Sequence, residues 1–195
     1  MKTVLSSGNL ARQFAVSFRL LLVTVVICSG LYTVIVLLAA QVVPYSATGS
    51  LLCSEKGEVI GSELIGQQFT RPEYFWSRPS AVSWNAAGAG GSNLSPASLA
   101  MRQRSGKLLG AYALKNGEKA PADLVSASGS GLDPHISIAA ARFQASRVAH
   151  ARGLSIDKVM SMINEPASGN ITIPLLNESL VNVLQLNRSL DQLPK

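Results

Sequence analysis

Hydrophobic positions along the chain fall into one long unbroken run and several short periodic ones. From Leu20 to Ala40 run twenty-one residues without a charge, LLLVTVVICSGLYTVIVLLAA. As a helix they would span about 31 Å at ~1.5 Å per residue, close to the hydrocarbon thickness of a bilayer. The pattern predicts a membrane-spanning helix over 20–40, preceded by a segment 1–19 and followed by a folded region 41–195. A cleaved signal peptide is the competing reading. Its apolar core is shorter, ~7–15 residues, and ends in a small-x-small site, whereas Leu38-Ala39-Ala40 lacks a small residue at the first of those positions.

Beyond the run, strand-like and helix-like segments mix, and the fold class expected is α+β. Ser50 to Ser54 and Val59 to Ile65 flank Glu55-Lys56-Gly57-Glu58 and read as a hairpin. Phe69 to Asn85 holds two Arg-Pro steps, which keep the preceding residues extended and argue against regular structure. Tyr74, Phe75, Trp76 and Trp84 are its candidates for core or interface. A glycine-rich loop, Gly88 to Asn93, precedes a weakly helical stretch from Pro96 to Lys115, with Gly117 as its stop. A clearer helix runs from a Ser137 cap to Arg152, with Ile138, Ala141, Ala145, Val148 and Ala149 at three- and four-residue spacings and Gly153 as terminator. Ser155 opens a further helix carrying Ile156, Val159, Met160 and Ile163 inward until Pro166. Ile171 to Leu186 reads as two strands around Asn177-Glu178, with a short helical tail over Ser189 to Leu193.

Charge changes this picture by giving it a direction. The chain carries +6, but Lys2, Arg12 and Arg19 precede the apolar run without any acid, and no Lys or Arg follows it until Lys56. The positive-inside bias places the N-terminus in the cytoplasm and residues 41–195 outside. The basic residues from Lys56 onward are scattered, without the basic stripe and interleaved aromatics of a nucleic-acid binder. The helix also has a face. Thr24, Cys28 and Tyr32 recur every four residues beside Ser29, Gly30 and Thr33. That composition is found where helices meet in lipid, and a Tyr hydroxyl wants a partner there. Packing on a second helix is one reading, and an isolated span tolerating a few such residues is the other. Cys28 within the span and Cys53 outside it cannot join in a disulfide, and two His with two Cys offer no zinc spacing.

Candidate chemistry concentrates in Val125 to Ser137, VSASGSGLDPHIS. Ser128 or Ser130 with Asp133 and His135 supplies the residue types of a nucleophile, a base and an orienting carboxylate, as an outer-face hydrolase would need. Adjacency in sequence does not supply that geometry. Asp-Pro is also a natural turn or helix start, with Gly129 and Gly131 providing positive φ, and His135 then sits on a first turn. No phosphate-cradling fingerprint is met, since Gly129-Ser130-Gly131 is followed by Pro134 where a glycine is required. The loop with Gly91, Ser92 and Asn93 reads either as a nest of N–H groups for an anion or as a flexible turn. His150 and Arg152 suit a helix C-terminus, and Arg147 is expected on an exposed basic side.

GSELIGQ (61–67), YFWSRPS (74–80, including Arg78), GGSN (90–93), VSASGSGLDPHIS, RVAHARG (147–153) and VNVL (181–184), after one N-terminal span, occur in an order that resembles the C subunit of the Kdp high-affinity potassium-transporting ATPase. The resemblance covers nearly the whole chain. It implies a subunit without catalytic residues or bound metal, assembled with a channel-like A subunit, a P-type ATP-hydrolysing B subunit and a small F subunit, so that potassium is handled by the complex. Such subunits are described as catalytic chaperones that raise the ATP affinity of the B subunit, with the stretch Ser128 to Leu132 likened to an ATP-binding-cassette signature. A domain on the outer face cannot meet cytoplasmic ATP, so the effect is expected as a coupling free energy passed through the complex. A nucleotide-binding domain on the inner side would need the opposite orientation. The resemblance makes Ser128, Gly129, Ser130, Gly131, Asp133, His135, Gly91, Ser92, Asn93 and Arg78 candidates for partner coupling, and Thr24, Cys28 and Tyr32 candidates for packing in the membrane. The chain departs from the family text at Ala97-Ser98-Leu99, at Ile138 and at Asn177-Glu178-Ser179, where prolines are usual.

Overall fold

The computed structural model describes residues 7–54, 56–112, 119–165, 171–173 and 178–193. They form two compact units, one ending at Ser50 and one beginning at Leu51.

The first unit is a long helix: α1 (Ser7–Val25), a π-helical stretch (Val26–Leu31) and α2 (Tyr32–Ala40). From Leu10 to Ala40 it counts 31 residues with a mean hydropathy of 2.6, long and apolar enough to cross a membrane. Its last part, α2, is apolar all round and nothing from Leu10 to Ala40 is buried, the pattern of a helix made for a nonpolar surrounding rather than for a core. The helix continues N-terminally of the apolar run through Arg19 and Arg12, because no Pro or Gly interrupts residues 9–19. Thr24, Cys28 and Tyr32 are all exposed on it, Cys28 within the π-helical stretch, where Thr33 Oγ1 donates to the Ser29 carbonyl at 2.6 Å. A short α3 (Pro44–Ala47) follows, with Pro44 in the first turn, where its missing N–H costs nothing.

The second unit opens with the predicted hairpin, β1 (Leu51–Cys53) and β2 (Val59–Ser62), antiparallel and bulged between Leu52 and Cys53. Irregular chain then runs to α4 (Leu99–Ala111). Its start falls three residues after the expected Pro96, because the Ser98 hydroxyl accepts from Met101 N and caps the helix there. No residue of α4 is buried, and the expected end at Lys115 and stop at Gly117 lie outside the described residues. A 3-10 turn (Ala122–Leu124) leads by a loop to β3 (His135–Ser137), α5 (Ile138–Arg152), α6 (Ile156–Asn164), β4 (Ile171–Ile173), β5 (Glu178–Asn182) and α7 (Val183–Asp191). The sheet order is β3-β5-β4, all antiparallel, with Ile136 opposite Val181 and Ile171 opposite Leu180.

One apolar cluster joins these elements. Phe75 from the irregular segment, Leu124, Ile136, Val148, Val159, Ile163, Val181, Leu186 and Leu190 are all buried in it. The α5 caps are those expected: Ser137 Oγ accepts from Ala140 N at 3.0 Å, and Gly153 turns left-handed at φ 66°. On α6, Val159 and Ile163 point inward as expected, but Met162 is buried while Ile156 stays 44 % exposed. Pro166 lies outside the described residues. The run to Leu186 is not strand throughout. The Asn182 carboxamide accepts from Leu184 N and Gln185 N, at 3.1 and 3.2 Å, and so starts α7 at Val183. The stripe Val183, Leu186, Asn187, Leu190 then follows the helical period, all of it buried. The turn expected around Asn177 falls outside the described residues.

Candidate functional site

The Ser-Gly stretch is a junction with three other loops, Ser128 and Gly131 buried in it and Gly129 and Ser130 exposed. Ser128 N donates to the Pro79 carbonyl at 3.3 Å, Gly90 N to the Ser130 carbonyl at 2.7 Å, and Gly66 N to the Leu132 carbonyl at 2.7 Å. Glycine is required where these loops meet. Gly131 has φ 68°, and a Cβ there would stand 2.6 Å from Val82 Cγ2 and 2.9 Å from the Gly90 carbonyl. A Cβ on Gly91 would stand 2.9 Å from the Gly129 carbonyl, and one on Gly66 2.5 Å from the Asp133 carbonyl. The glycines therefore serve close backbone approach. Gly90 and Gly91 are docked on residues 129–130, so this end of the glycine-rich loop is a fixed contact and not a free turn. Ser92 is half-buried, and Asn93, exposed, adopts φ 51°.

The hydroxyls here serve turns. Ser130 Oγ accepts from Leu132 N at 3.1 Å, and Ser80 Oγ accepts from Val82 N and Trp84 N. Ser128 is buried, with 3 % of its surface exposed. Asp133 is the hub of the polar contacts. Its Oδ1 accepts from His135 N at 3.0 Å and lies 3.5 Å from His135 Nδ1, while its Oδ2 accepts from Arg78 Nη1 at 3.2 Å. Partial burial works against its ionisation, but the His135 bonds and the Arg78 charge outweigh it and hold Asp133 below the usual carboxylate range.

His135 stands in β3, opposite Asn182, and not on the first turn of a helix. Two acids account for the shift: Asp133 ties down His135 N, and Asp123 Oδ2 accepts from Ser137 N at 2.8 Å, so the helix begins only at Ile138. Among the described residues no hydrogen bond joins a serine hydroxyl to His135, and no group of three or more His, Cys, Asp or Glu residues is arranged to hold a metal. The junction thus contains a carboxylate between an arginine and an imidazole, without an activated nucleophile.

A second polar constellation escaped the sequence. The irregular Tyr74–Ser77 segment is gripped by two buried amides. Asn187 of α7 accepts from Phe75 N at 2.8 Å and donates to the Phe75 carbonyl at 3.0 Å. Gln144 of α5 does the same for Trp76, at 2.8 and 3.1 Å. Both side chains thereby replace a neighbouring strand. Arg147, expected to be exposed, lies over the Trp76 ring at 3.9 Å and donates to the Pro72 and Tyr74 carbonyls and to Gln144 Oε1. Burial without a carboxylate partner brings its pKa down to about 10, and burial raises the adjacent Tyr112 to about 12. Arg152 bonds the Glu73 and Leu190 carbonyls and Asp191. His150 is exposed near the helix end. The signal that could have found the amides is positional: Gln144 and Asn187 both fall inside apolar helical stripes, where a polar residue must have a buried partner.

Comparisons with known proteins agree over most of the chain. A family model described as K+-transporting ATPase, c chain, KdpC, matches residues 14–192. Proteins named Potassium-transporting ATPase KdpC subunit are similar in Parvibaculum lavamentivorans (46 % identity, 92 % of this chain and 96 % of the relative), Geobacter sulfurreducens (44 %, 93 % and 98 %) and Myxococcus xanthus (42 %, 92 % and 87 %).

Proposed function

The chain belongs to the KdpC family, the c chain of K+-transporting ATPases, and on that premise we propose that it is a non-catalytic subunit working from the outer face of the inner membrane. The observation that carries this reading is the match over 14–192, which runs through both the apolar helix and the folded unit. In this reading the helix anchors the subunit with its N-terminus in the cytoplasm, as the cluster of Lys2, Arg12 and Arg19 favours. The Thr24, Cys28 and Tyr32 face packs on helices of the partners, the channel-like A subunit, the P-type B subunit or the small F subunit, and the rest of the helix meets lipid. The folded unit sits over the ion entrance of the A subunit.

From there it acts on nucleotide affinity of the B subunit only through the assembled complex, as a coupling free energy between distant sites. Direct ATP contact by Ser128 to Leu132 has little support in the geometry, since the backbone of that stretch is engaged by Gly66, Pro79 and Gly90. Two experiments test the reading together. A C-terminal reporter fusion is expected to be active only outside the cytoplasm, and the chain is expected to co-purify with the potassium-transporting ATPase in mild detergent. Activity of the reporter inside, or failure to co-purify, contradicts it.

A further inference from the structure

The groove between the β1–β2 hairpin and α7 is open among the described residues. Ile60, Phe69 and Leu184 form its apolar wall, Cys53 lies at its edge, and it encloses about 480 Å³. Arg188 and Asp191 line it one turn apart on α7. Asp191 is already engaged, accepting from Arg152 at 2.7 Å and from the Tyr74 hydroxyl at 3.1 Å. Arg188 is not: among the described residues its half-buried guanidinium meets no carboxylate and no acceptor. A cation beside an apolar wall selects a ligand with an apolar group and an anion side by side.

The hairpin widens this surface. Leu51, Val59, Ile60 and Leu64 are large exposed hydrophobics there, against only Leu99 and Ile156 elsewhere among the described residues of the folded unit. Among the described residues the hairpin ladder holds β1 and β2 alone, and the outer edge of such a ladder is the usual template for an added segment. We propose that the groove and hairpin form a docking surface for an extended segment of a partner protein. An apolar side chain of that segment seats on Ile60, Phe69 and Leu184, and a neighbouring carboxylate pairs with Arg188. The inference rests on the subunit reading above and adds the chemistry of the segment that is bound.

Cys53 supplies the probe, because it is exposed and lines the groove, and its labelling is read on its own peptide by mass spectrometry, so that Cys28 is left unchanged. Maleimide labelling of Cys53 is compared in mild detergent between the complete ATPase and the chain expressed alone. Labelling in the complex is expected to be slower by about tenfold, equivalent to about 1.4 kcal/mol of protection. Arg188→Glu is expected to restore fast labelling, and Arg188→Lys to keep the protection. Equal rates in complex and lone chain, with co-purification intact, overturn the docking surface and leave the subunit reading standing. Slow labelling already present in the lone chain assigns the groove to lipid or to a second copy and overturns the partner segment. Loss of co-purification overturns both.

Discussion

The Ser128–His135 loop and the Tyr74–Ser77 segment present opposite faces in text and in space. The first reads like chemistry, yet its backbone is engaged by neighbouring loops and the Ser130 hydroxyl by the loop's own Leu132 N–H. The second reads as irregular chain that offers aromatics to a core or interface, and it is tied to two helices by Asn187, Gln144, Arg147 and, over the Tyr74 ring, Arg152 across the fold. The difference is one of range. Hydroxyls and glycines shape a loop locally, whereas buried amides and arginines hold a segment without secondary structure in register with distant elements. Polar residues crowded together in sequence are therefore a poorer guide to what organises this domain than single polar residues placed inside apolar helix faces.

The amide grip is the strongest place to break that contrast. Asn187→Leu strands the buried N–H and carbonyl of Phe75, each worth about 1–3 kcal/mol when unpaired. The full chain in detergent is expected to lose about 2–5 kcal/mol in urea unfolding, visible as a lower midpoint at unchanged slope. Gln144→Leu is expected to do the same to Trp76 and to deprive Arg147 of one acceptor. A loss below about 0.5 kcal/mol, the range of an ordinary surface change, would show the grip to be incidental.

Next in size is the glycine junction. Gly131→Val adds strain at positive φ and a Cβ at 2.6 Å from Val82 Cγ2. Together these are expected to cost about 2–4 kcal/mol and to loosen the 88–91 loop from residues 129–130. Gly129→Ala is the internal control, because its Cβ meets nothing within 4 Å. Equal effects of the two would contradict close approach as the reason for glycine.

The smallest effect belongs to Asp133. Its carboxylate is 30 % exposed, so water screens its pairs and Asp133→Asn is expected to cost about 1 kcal/mol or less near neutral pH. The pH dependence carries the sign. The folded pKa lies below the unfolded one, so the stabilisation is present above the ordinary carboxylate range near ~3.9 and is lost as pH falls through the lower folded value. The difference between wild type and Asp133→Asn is expected to close as pH falls below the ordinary carboxylate range near ~3.9. A difference that grows as pH falls through that acid range would give Asp133 the opposite shift.

Much of the architecture was legible because local signals agreed. The hairpin, the Ser137 cap, the Gly153 stop and the Ser155 start all state a backbone preference within a few residues. The boundary at Asn182 was missed because Val183, Leu184 and Leu186 suit a strand as well as a helix, and only the capping carboxamide decides. Arg147 departs from expectation because charge suggests solvent, while its Nη groups are bonded by carbonyls and Gln144 and its guanidinium lies over a Trp face, with Nε buried and unbonded. At the candidate site, the sequence shows Ser128 to His135 as one stretch but not which loops it touches. That Gly90 and Gly91 meet Ser130 and Gly129 depends on loops some forty residues apart, which no local pattern encodes.

The central claim, that the Ser-Gly-Asp-His stretch is a joint and not a reaction centre, meets its most direct test in the assembled ATPase. Potassium-stimulated ATP hydrolysis and transport are measured with the Ser130→Ala, His135→Ala double variant. Both substitutions remove bonds worth about 1 kcal/mol each, and activity is expected to stay within about threefold of wild type. A loss of about 10²-fold or more in a variant that assembles and unfolds like wild type would give this loop a direct part in chemistry or coupling and contradict the account.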